Sequence, residues 1–524
     1  MNKTLQLSLT PEQAHKEDLL LTMIAEKLQI SVDGIDSFRI LKKSIDARTI
    51  HPKINMTVAV FLTDEEPDAL YNKSFDYQQV GDKEPVLIVG AGPAGLFAAL
   101  KLLELGLKPV ILERGRPINQ RVEDVNLLQK EKATINPESN FAYGEGGAGT
   151  FSDGKLLTRS KKKGNIQGVL ETFHYHGAKD SILYDSNPHI GFDVLPTIIH
   201  NIRKTILSHG GEIHYEEKLS KILLEDNEVK GCETEKGNRY LSERLILATG
   251  QSAQDIYELL DEQGIALELK AFAMGVRVEH PQNLIDQIQY KTGTRNPYLP
   301  PAIYGLNERI YDRSVYSFCM CPGGEIIPAM TGTEEIVVNG MSSSKRDSAF
   351  ANAGMVVEIQ PEDIPAAFHR YGAFAGLKYR QHIEHAAFIA NGGKGIQAPA
   401  QRMLDFVKRI QSTDLPAYSY QPGLVPTDFH KWLPDHIYKP LQEAFFRFND
   451  KMKGFLTNEA VVVGVETRSS SPIRIPRDPY TAQHRDIKGL YPAGEGSGYS
   501  GGITSSAMDG EFVAEKVVEF FTNP

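Results

Sequence analysis

The chain of 524 residues is too long for a single hydrophobic core, so we expect two or three domains. Its 57 basic and 67 acidic residues give a formal charge of −10, which disfavours bulk binding to nucleic acid or an anionic membrane without excluding a local basic patch. Three cysteines are too few for a disulfide framework, and no apolar run reaches the ~18–20 residues of a membrane span. The N-terminal segment lacks the apolar core of a signal peptide, and the sequence therefore predicts a cytoplasmic protein.

Residues 1–80 are predicted to form a small α+β unit. Apolar and polar residues alternate at 5–9 and again at 54–62, as they do in half-buried strands. Between these segments, Thr10 is followed three residues later by Gln13, a capping-box pattern that predicts the start of one helix. The acidic and polar stretch that ends this unit is interpreted as a linker.

The segment that follows the linker has the pattern of a strand–helix–strand unit. The apolar run Val86–Val89 predicts a buried strand, Leu96–Leu105 predicts a helix that Gly106 closes, and Pro109–Leu112 predicts a second strand. Two parallel strands joined by a right-handed helical crossover form the core of an α/β sheet.

The rest of the chain is predicted to complete this sheet around an inserted domain. Short alternating segments between Ile213 and Ala248 are interpreted as a meander that ends in the strand Leu245–Ala248, and Ser505–Phe521 is predicted to be a long helix. The predicted fold class is α/β, a Rossmann-type domain with a parallel central sheet, an inserted mixed α+β domain and the small N-terminal unit. The predicted boundaries are 1–80 for the N-terminal unit, 81–265 and 464–524 for the Rossmann-type domain, and 266–463 for the inserted domain.

Three glycines follow the first predicted strand of the Rossmann-type domain in the pattern GxGxxG. The first permits a tight turn, the second lets a pyrophosphate approach the backbone, and the third lets the helix pack closely on the strand. Glu113 ends the second strand near the ~20-residue spacing at which a carboxylate accepts hydrogen bonds from ribose hydroxyls. These coinciding elements predict a dinucleotide site rather than a simple glycine turn, with the residues Gly90, Gly92, Pro93, Ala94, Gly95, Glu113 and Arg114.

Three further segments favour FAD as the dinucleotide. Leu245–Gly250 resembles the second chain crossing of two-dinucleotide-binding flavoproteins, and Gly489–Gly502 resembles their C-terminal flavin motif, in which an acid lies near the ribityl–phosphate region before a helix. Tyr143–Lys155 is a glycine-rich loop suited to wrapping a cofactor, although a flexible surface loop has a similar composition. The predicted cofactor residues in these segments are Gly147, Gly149, Thr150, Ser152, Asp153, Thr249, Gly250, Gly494, Glu495, Gly502 and Ile503.

Nearly the whole chain resembles one protein family. The matching strings include GEGGAGTFSDGKL at Gly144–Leu156, CMCPGGEIIPA at Cys319–Ala329, GVETRSSSPIRI at Gly464–Ile475 and YPAGEGSGYSGGI at Tyr491–Ile503. They are similar to those of the largely uncharacterised bacterial FAD-dependent dehydrogenases, also called NAD(FAD)-utilizing dehydrogenases. The resemblance implies an FAD domain and a redox activity but no particular substrate. We expect a flavoprotein oxidoreductase with non-covalently bound FAD that transfers hydride at the flavin N5.

A second nucleotide-binding motif is absent from the sequence. The strand at Val461–Glu466 carries one glycine, and no second GxGxxG follows a strand. We therefore expect no fixed nicotinamide domain, so NAD(P)H would bind transiently at the flavin or another donor would be used. The substrate is expected to be a small molecule held between the two domains, and the oligomeric state has no signal in the sequence.

Four residues are candidates for the chemistry: Arg468, Glu466, Cys321 and Lys155. Glu466 and Arg468 precede the return of the chain to the FAD domain, where they could orient a substrate or balance the charge of reduced flavin, and an interdomain ion pair explains them equally well. Cys319 and Cys321 are predicted to share one face of a strand. Small buried thiols are the favoured interpretation, because a C-x-C disulfide closes a very tight ring.

No metal site is predicted. His382, Glu384 and His385 do not match a zinc-binding pattern, and a solvated helix face explains them more simply. Two other functions stay open at this point. One is a flavin-dependent monooxygenase of the aromatic-hydroxylase type, and the other is a flavin-dependent RNA-modifying or scaffold protein that uses the N-terminal unit, where Lys42, Lys43 and Arg48 supply positive charge.

Overall fold

The computed structural model describes residues 3–62, 73–128, 135–158 and 164–522, with side chains described up to 519. Most of the predicted linker, from 63 to 72, lies outside the described residues. The N-terminal unit contains β1 (Lys3–Leu9), α1 (Pro11–His15), α2 (Glu17–Leu28), β2 (Ile35–Asp46) and β3 (Lys53–Leu62). Its three strands form an antiparallel sheet in the order β1-β3-β2.

The predicted capping box is confirmed at the start of α1. The Thr10 hydroxyl oxygen accepts from the Gln13 backbone N–H at 3.2 Å, and the Gln13 side chain accepts from the Thr10 N–H at 2.9 Å. The prediction of one helix is wrong, because Lys16 has an extended backbone with φ of −92° and ψ of 118° and separates α1 from α2.

The chain then builds a parallel sheet and the layers around it. These elements are β4 (Pro85–Val89), α3 (Pro93–Glu104), β5 (Lys108–Glu113), α4 (Ile118–Leu128), α5 (Ile166–Tyr175), α6 (Leu195–Ser208), β6 (Glu212–Tyr215), β7 (Leu219–Glu225), β8 (Glu228–Thr234), β9 (Arg239–Leu241), β10 (Leu245–Leu247) and α7 (Gln254–Glu262).

The remaining elements form a second, larger sheet and return to the first. They are β11 (Glu268–Leu269), β12 (Phe272–Pro281), α8 (Gln282–Tyr290), β13 (Asn307–Ile310), β14 (Arg313–Cys321), β15 (Gly324–Pro328), β16 (Val338–Ser342), β17 (Phe350–Ile359), α9 (Ala366–His369), α10 (Ala375–Ala390), β18 (Ala398–Arg402), α11 (Met403–Lys408), β19 (Leu424–Pro426), α12 (Asp435–Lys451), β20 (Val461–Glu466), β21 (Ile473–Arg474), β22 (Leu490–Pro492) and α13 (Ile503–Thr522).

Two sheets dominate the molecule. The first has five parallel strands in the order β22-β10-β4-β5-β6. The second has seven strands in the order β13-β14-β17-β12-β20-β18-β19 and is antiparallel except between β18 and β19. The predicted α/β class with a parallel central sheet is confirmed.

The predicted meander is correct only in part. Strands β7, β8 and β9 form an antiparallel sheet, with turns near the predicted positions Asn227 and Gly237. Strand β6, which the prediction placed in the meander, instead pairs in parallel with β5 at the edge of the main sheet. A short strand of four residues carries too little pattern to show which sheet it joins.

Helix α13 covers the parallel sheet by crossing α3 at very short range. A Cβ atom on Gly510 would lie 2.0 Å from the Ala94 carbonyl oxygen, so only glycine fits at this crossing. The last described helix therefore packs directly on the helix that begins after the GxGxxG turn.

Candidate functional site

A cleft of about 530 Å³ runs between the carboxyl ends of the parallel strands and the larger sheet. We call the side formed by residues 89–94, 141–155 and 494–506 the glycine wall, and the side formed by residues 316–340 the strand wall. In an open α/β sheet, ligands bind beyond the carboxyl ends of the strands, and the glycine wall occupies that position.

The GxGxxG turn connects β4 to α3 as predicted. Gly90 has a φ of +107°, which favours glycine, and its N–H donates to the Leu112 carbonyl at 2.8 Å. A Cβ on Gly95 would lie 1.9 Å from the Gly90 carbonyl oxygen, so the predicted close packing of helix on strand is confirmed, and Gly95 itself is not among the residues that line the cleft. No side chain caps the first turn of α3, so its N–H groups are available to a ligand.

Glu113 fastens three segments of the glycine wall together. Its carboxylate accepts backbone N–H bonds from Ala91 at 2.8 Å, from Gly115 at 2.9 Å and from Gly144 at 3.0 Å. The residue is buried yet still borders the cleft. The carboxylate therefore fixes the turn and the glycine-rich loop at the place predicted for a ribose.

The glycine-rich loop is organised by Arg121, which the sequence analysis missed. This fully buried guanidinium donates to the carbonyls of Asn140, Phe141, Gly144, Glu145 and Gly147. It also donates to the Thr150 hydroxyl at 3.3 Å, and Thr150 is not among the lining residues, so its predicted cofactor contact receives no support from the geometry. Nothing in the local pattern of α4 distinguishes Arg121 from a surface arginine.

The end of the same loop reaches across the cleft. The Ser152 hydroxyl donates to the Gly149 carbonyl at 2.7 Å and so closes a local turn. The Asp153 carboxylate forms a bidentate pair with Arg346, with distances of 3.0 and 2.5 Å, and both side chains are buried. Lys155 borders the cleft and donates its ammonium proton to the Met320 carbonyl on β14.

The second crossing and the C-terminal motif meet on the other side of the glycine wall. Thr249, Gly250, Gly494, Gly502 and Ile503 all line the cleft, and α13 begins at Ile503, two residues before the predicted start at Ser505. This segment carries the predicted acid, Glu495, described next.

Glu495 faces the cleft with a half-buried carboxyl group. Gln251 donates its side-chain N–H to Glu495 Oε1 at 2.9 Å and to the Arg468 carbonyl at 2.5 Å. Burial raises the pKa of Glu495 to about 7, and Lys270 and Arg380 only partly oppose this effect. The carboxyl group is therefore poised to exchange a proton near neutral pH.

Arg114 closes the far end of the cleft. Its guanidinium pairs with Glu138 at 2.5 Å and with Asp255 at 2.9 Å, and it lies 4.1 Å from the centre of the Tyr143 ring. The two acids and the ring come from distant segments, so sequence spacing does not predict this cluster. A planar cation on an aromatic ring offers a surface on which a nucleobase could stack.

The strand wall departs from regular β-structure at its two cysteines. Cys319 has a φ of +43°, and the register between β14 and β17 shifts between Phe318 and Cys321. The two cysteines differ in exposure at this bulge, since Cys319 is exposed and Cys321 is buried, but both line the cleft. Desolvation inside the cleft raises the pKa of both thiols, that of the cleft-facing Cys319 to about 12, which favours the protonated thiols at neutral pH.

A buried ion pair supports that bulge from behind. Arg277 is fully buried and pairs with Glu466 at 2.7 Å, and its guanidinium also donates to the Cys319 carbonyl at 2.7 Å. Glu466 is not among the residues that line the cleft. Its carboxylate therefore holds Arg277, and a direct contact with substrate finds no support in this geometry.

Arg468 lines the cleft within a second buried cluster. It pairs with Glu335 at 2.8 Å and with Glu384 at 3.1 Å, and Thr467 donates its hydroxyl to Glu384 at 2.6 Å. The interpretation of α10 as a solvated face is therefore wrong for Glu384, which is fully buried. Within the described residues, no group of three or more histidine, cysteine or acidic side chains could hold a metal ion.

The glycine wall fits a dinucleotide. A Cβ on Gly147 would lie 2.9 Å from Gly92 Cα, so the glycine-rich loop and the GxGxxG turn approach each other as bare backbone. The free N–H groups at the start of α3 suit a pyrophosphate, and Glu113 and Arg114 suit the ribose and base beyond it.

Known families match the chain in three consecutive parts. Residues 1–61 match a domain of unknown function, residues 84–270 match the pyridine nucleotide-disulphide oxidoreductase family, and residues 271–469 match the family described as FAD-dependent protein, C-terminal domain-like. An uncharacterized protein of Clostridium beijerinckii is 38% identical over 520 residues, which cover 96% of each chain. The chain belongs to this FAD-dependent dehydrogenase family. It is an FAD-dependent oxidoreductase, and these matches do not favour the monooxygenase or RNA-modifying alternatives.

Solved structures resemble this FAD-dependent oxidoreductase only distantly. L-proline dehydrogenase from P. horikoshii is 12% identical with a TM-score of 0.37, over 84% of this chain and 94% of that one. Glycine oxidase from Bacillus cereus is 13% identical with a TM-score of 0.31, over 84% and 96%. These values carry no argument about activity. Among the helices of the described residues, none is long and apolar enough to cross a membrane.

Proposed function

We propose that the enzyme oxidises or reduces a small organic molecule by hydride transfer at the N5 atom of FAD, where the glycine wall meets the strand wall. The observation that supports this proposal is the continuity of one cleft from the GxGxxG turn to the bulge of β14. When bound, FAD would supply the two-electron chemistry, and the protein would supply position and electrostatics.

The glycine wall would hold FAD without a covalent bond. We assign the pyrophosphate to the first turn of α3, the ribose to Glu113 and the ribityl region to Glu495 and the start of α13. Gln251 would keep the Glu495 carboxyl group in place through its 2.9 Å hydrogen bond. These assignments rest on which groups face the cleft and on their chemistry.

The strand wall would hold the substrate. Of the four residues predicted for the chemistry, Arg468, Cys321 and Lys155 border the cleft, and Cys319 is the more exposed thiol. Both thiols are neutral at physiological pH, which disfavours a thiolate mechanism. Glu466 would act through Arg277 as a positioning residue, because its carboxylate is committed to that guanidinium.

NAD(P)H would reach the flavin only transiently. Among the described elements, only the GxGxxG pattern at Gly90–Gly95 directly joins a strand to a helix, and the glycine wall accounts for it. A nicotinamide donor would therefore have to enter the strand-wall side of the cleft, react and leave before the substrate binds.

Anaerobic stopped-flow absorbance tests this proposal. The purified yellow protein is mixed separately with NADH and NADPH, and the flavin band at about 450 nm is followed. Rapid bleaching with either donor supports transient nicotinamide reduction. Absence of bleaching with both contradicts the nicotinamide part and leaves a substrate as the reductant. A colourless protein that cannot be reconstituted with FAD contradicts the whole proposal.

A further inference from the structure

The cations that line the cleft are paired with carboxylates, with one exception. Arg114 pairs with Glu138 and Asp255, and Arg468 pairs with Glu335 and Glu384. Lys218, which lines the cleft near Arg114, forms ion pairs with Glu138, Glu235 and Asp255. Each of these cations is therefore already paired with carboxylates, so its attraction for an anionic ligand is weakened.

Lys155 is different. Its ammonium group donates to the Met320 carbonyl, and no carboxylate of the described residues forms an ion pair with it. The nearby Asp153 is already engaged by Arg346 through two hydrogen bonds. The thiols of Cys319 and Cys321 do not compensate the charge, because burial keeps them protonated.

The strand wall that Lys155 contacts is lined in part by apolar side chains. Its ammonium touches β14, whose residues Tyr316 and Phe318 line the same cleft. Ile327 and Ala329 continue this lining on the strand wall. A single fixed charge on an apolar surface is the usual arrangement by which a pocket orients a small amphipathic ligand.

We infer that the strand wall, together with Lys155 at the end of the glycine-rich loop, binds an organic monocarboxylate with an apolar or aromatic body, and that Lys155 pairs with its carboxylate. This inference rests on the proposed function, since it names the substrate class of the same cleft. The cleft of about 530 Å³ also has to accept FAD, so the acid is small. One ammonium balances one carboxylate, whereas a phosphate dianion would leave negative charge against an apolar wall.

The test compares benzoate with benzamide, which has nearly the same shape but no charge. Each is titrated into the oxidised FAD-bound protein, and binding is read from the change in the flavin absorption band. We expect benzoate to bind at least about tenfold more tightly than benzamide, as one retained ion pair would provide. Lys155→Met should reduce this preference to less than about threefold, and Lys155→Arg should restore part of it.

Lys439→Met is the matched control, because Lys439 is an exposed lysine paired with Asp435 on α12 and its loss changes the net charge equally. It should leave the preference unchanged. Equal binding of benzoate and benzamide by the wild-type protein would overturn the inference, as would a preference that survives Lys155→Met. The wild-type comparison decides the matter even if the variant fails to fold. A protein that holds no FAD contradicts the proposed function, whereas a yellow protein without the preference contradicts the monocarboxylate alone.

Discussion

The two walls of the cleft are built on opposite principles. The glycine wall presents backbone, and its shape depends on glycines in it or directly behind it. A Cβ on Gly147 would lie 2.9 Å from Gly92 Cα, and a Cβ on Gly95 would lie 1.9 Å from the Gly90 carbonyl oxygen. The strand wall presents side chains, and buried ion pairs such as Arg277–Glu466 hold it from behind. A cofactor common to many enzymes can be recognised through backbone alone, whereas a particular substrate requires particular side chains.

The difference predicts that the two walls respond to different kinds of substitution. The strand wall should be most sensitive to the loss of a buried charge, and the glycine wall to the addition of a methyl group. Trp432, the only tryptophan, lies in the domain of the strand wall, so its fluorescence reports on that domain while flavin release reports on the other.

The largest effect is expected for Arg277→Ala. It leaves the Glu466 carboxylate buried without its cation, which should lower the free energy of unfolding by about 3–5 kcal/mol. Denaturant unfolding followed by Trp432 fluorescence measures the loss. Glu466→Gln should cost less, since the amide oxygen still accepts from Arg277. A loss below about 1 kcal/mol for Arg277→Ala would mean that the pair does not support the strand wall.

Arg346→Met tests the bridge between the walls. The substitution leaves the buried Asp153 carboxylate, at the end of the glycine-rich loop, without its cation. Because this loop borders the FAD side of the cleft, FAD should bind roughly 100-fold more weakly. FAD titration of the apoprotein gives the affinity. The neighbouring Lys345 is exposed, and Lys345→Met should leave the affinity unchanged. Equal affinities for both variants would show that the loop is held by other contacts.

Gly95→Ala tests the glycine wall directly. The added methyl group would overlap the Gly90 carbonyl, and the forced shift of α3 should cost about 1–3 kcal/mol and release FAD more readily. Gly81→Ala is the matched control, because a Cβ there meets no atom within 4 Å. Thermal unfolding together with the flavin content after gel filtration measures both effects. Identical behaviour of the two variants would refute the packing argument.

The last prediction concerns pH. Burial raises the pKa of Glu279, on β12, to about 7 against an unfolded value of 4.5. The folded protein therefore retains a proton that the unfolded chain has released, and stability should decrease as pH rises from about 4.5 to about 7, by roughly 1 kcal/mol per pH unit. Glu279→Gln should reduce the slope by this share, because Glu495 and Glu511, whose pKa values are also raised to about 7, still contribute, and Glu334→Gln, on an exposed residue, should leave the slope unchanged. Unfolding midpoints across this pH range provide the measurement, and parallel curves for wild type and Glu279→Gln would contradict it.

The glycine wall was largely predictable from the sequence, and the strand wall was not. The turn, α3, β5 and Glu113 are consecutive in the chain, so spacing alone places them. Arg121, Arg277 and Arg346 act on partners tens to hundreds of residues away, and an isolated arginine in a helix, strand or loop carries no mark of burial. At the bulge, Arg277 likewise donates to the Cys319 carbonyl from 42 residues away, a contact that strand periodicity does not predict.

The order of the chain also constrains how the enzyme matures. The parallel sheet takes its edge strand β22 and its covering helix α13 from residues that the ribosome adds after the entire seven-stranded sheet. The first turn of α13 borders the cleft, and Gly510 docks against Ala94. We expect a nascent chain to present an open, unfinished nucleotide pocket throughout synthesis of the larger sheet, with tight FAD capture delayed until α13 has emerged from the exit tunnel.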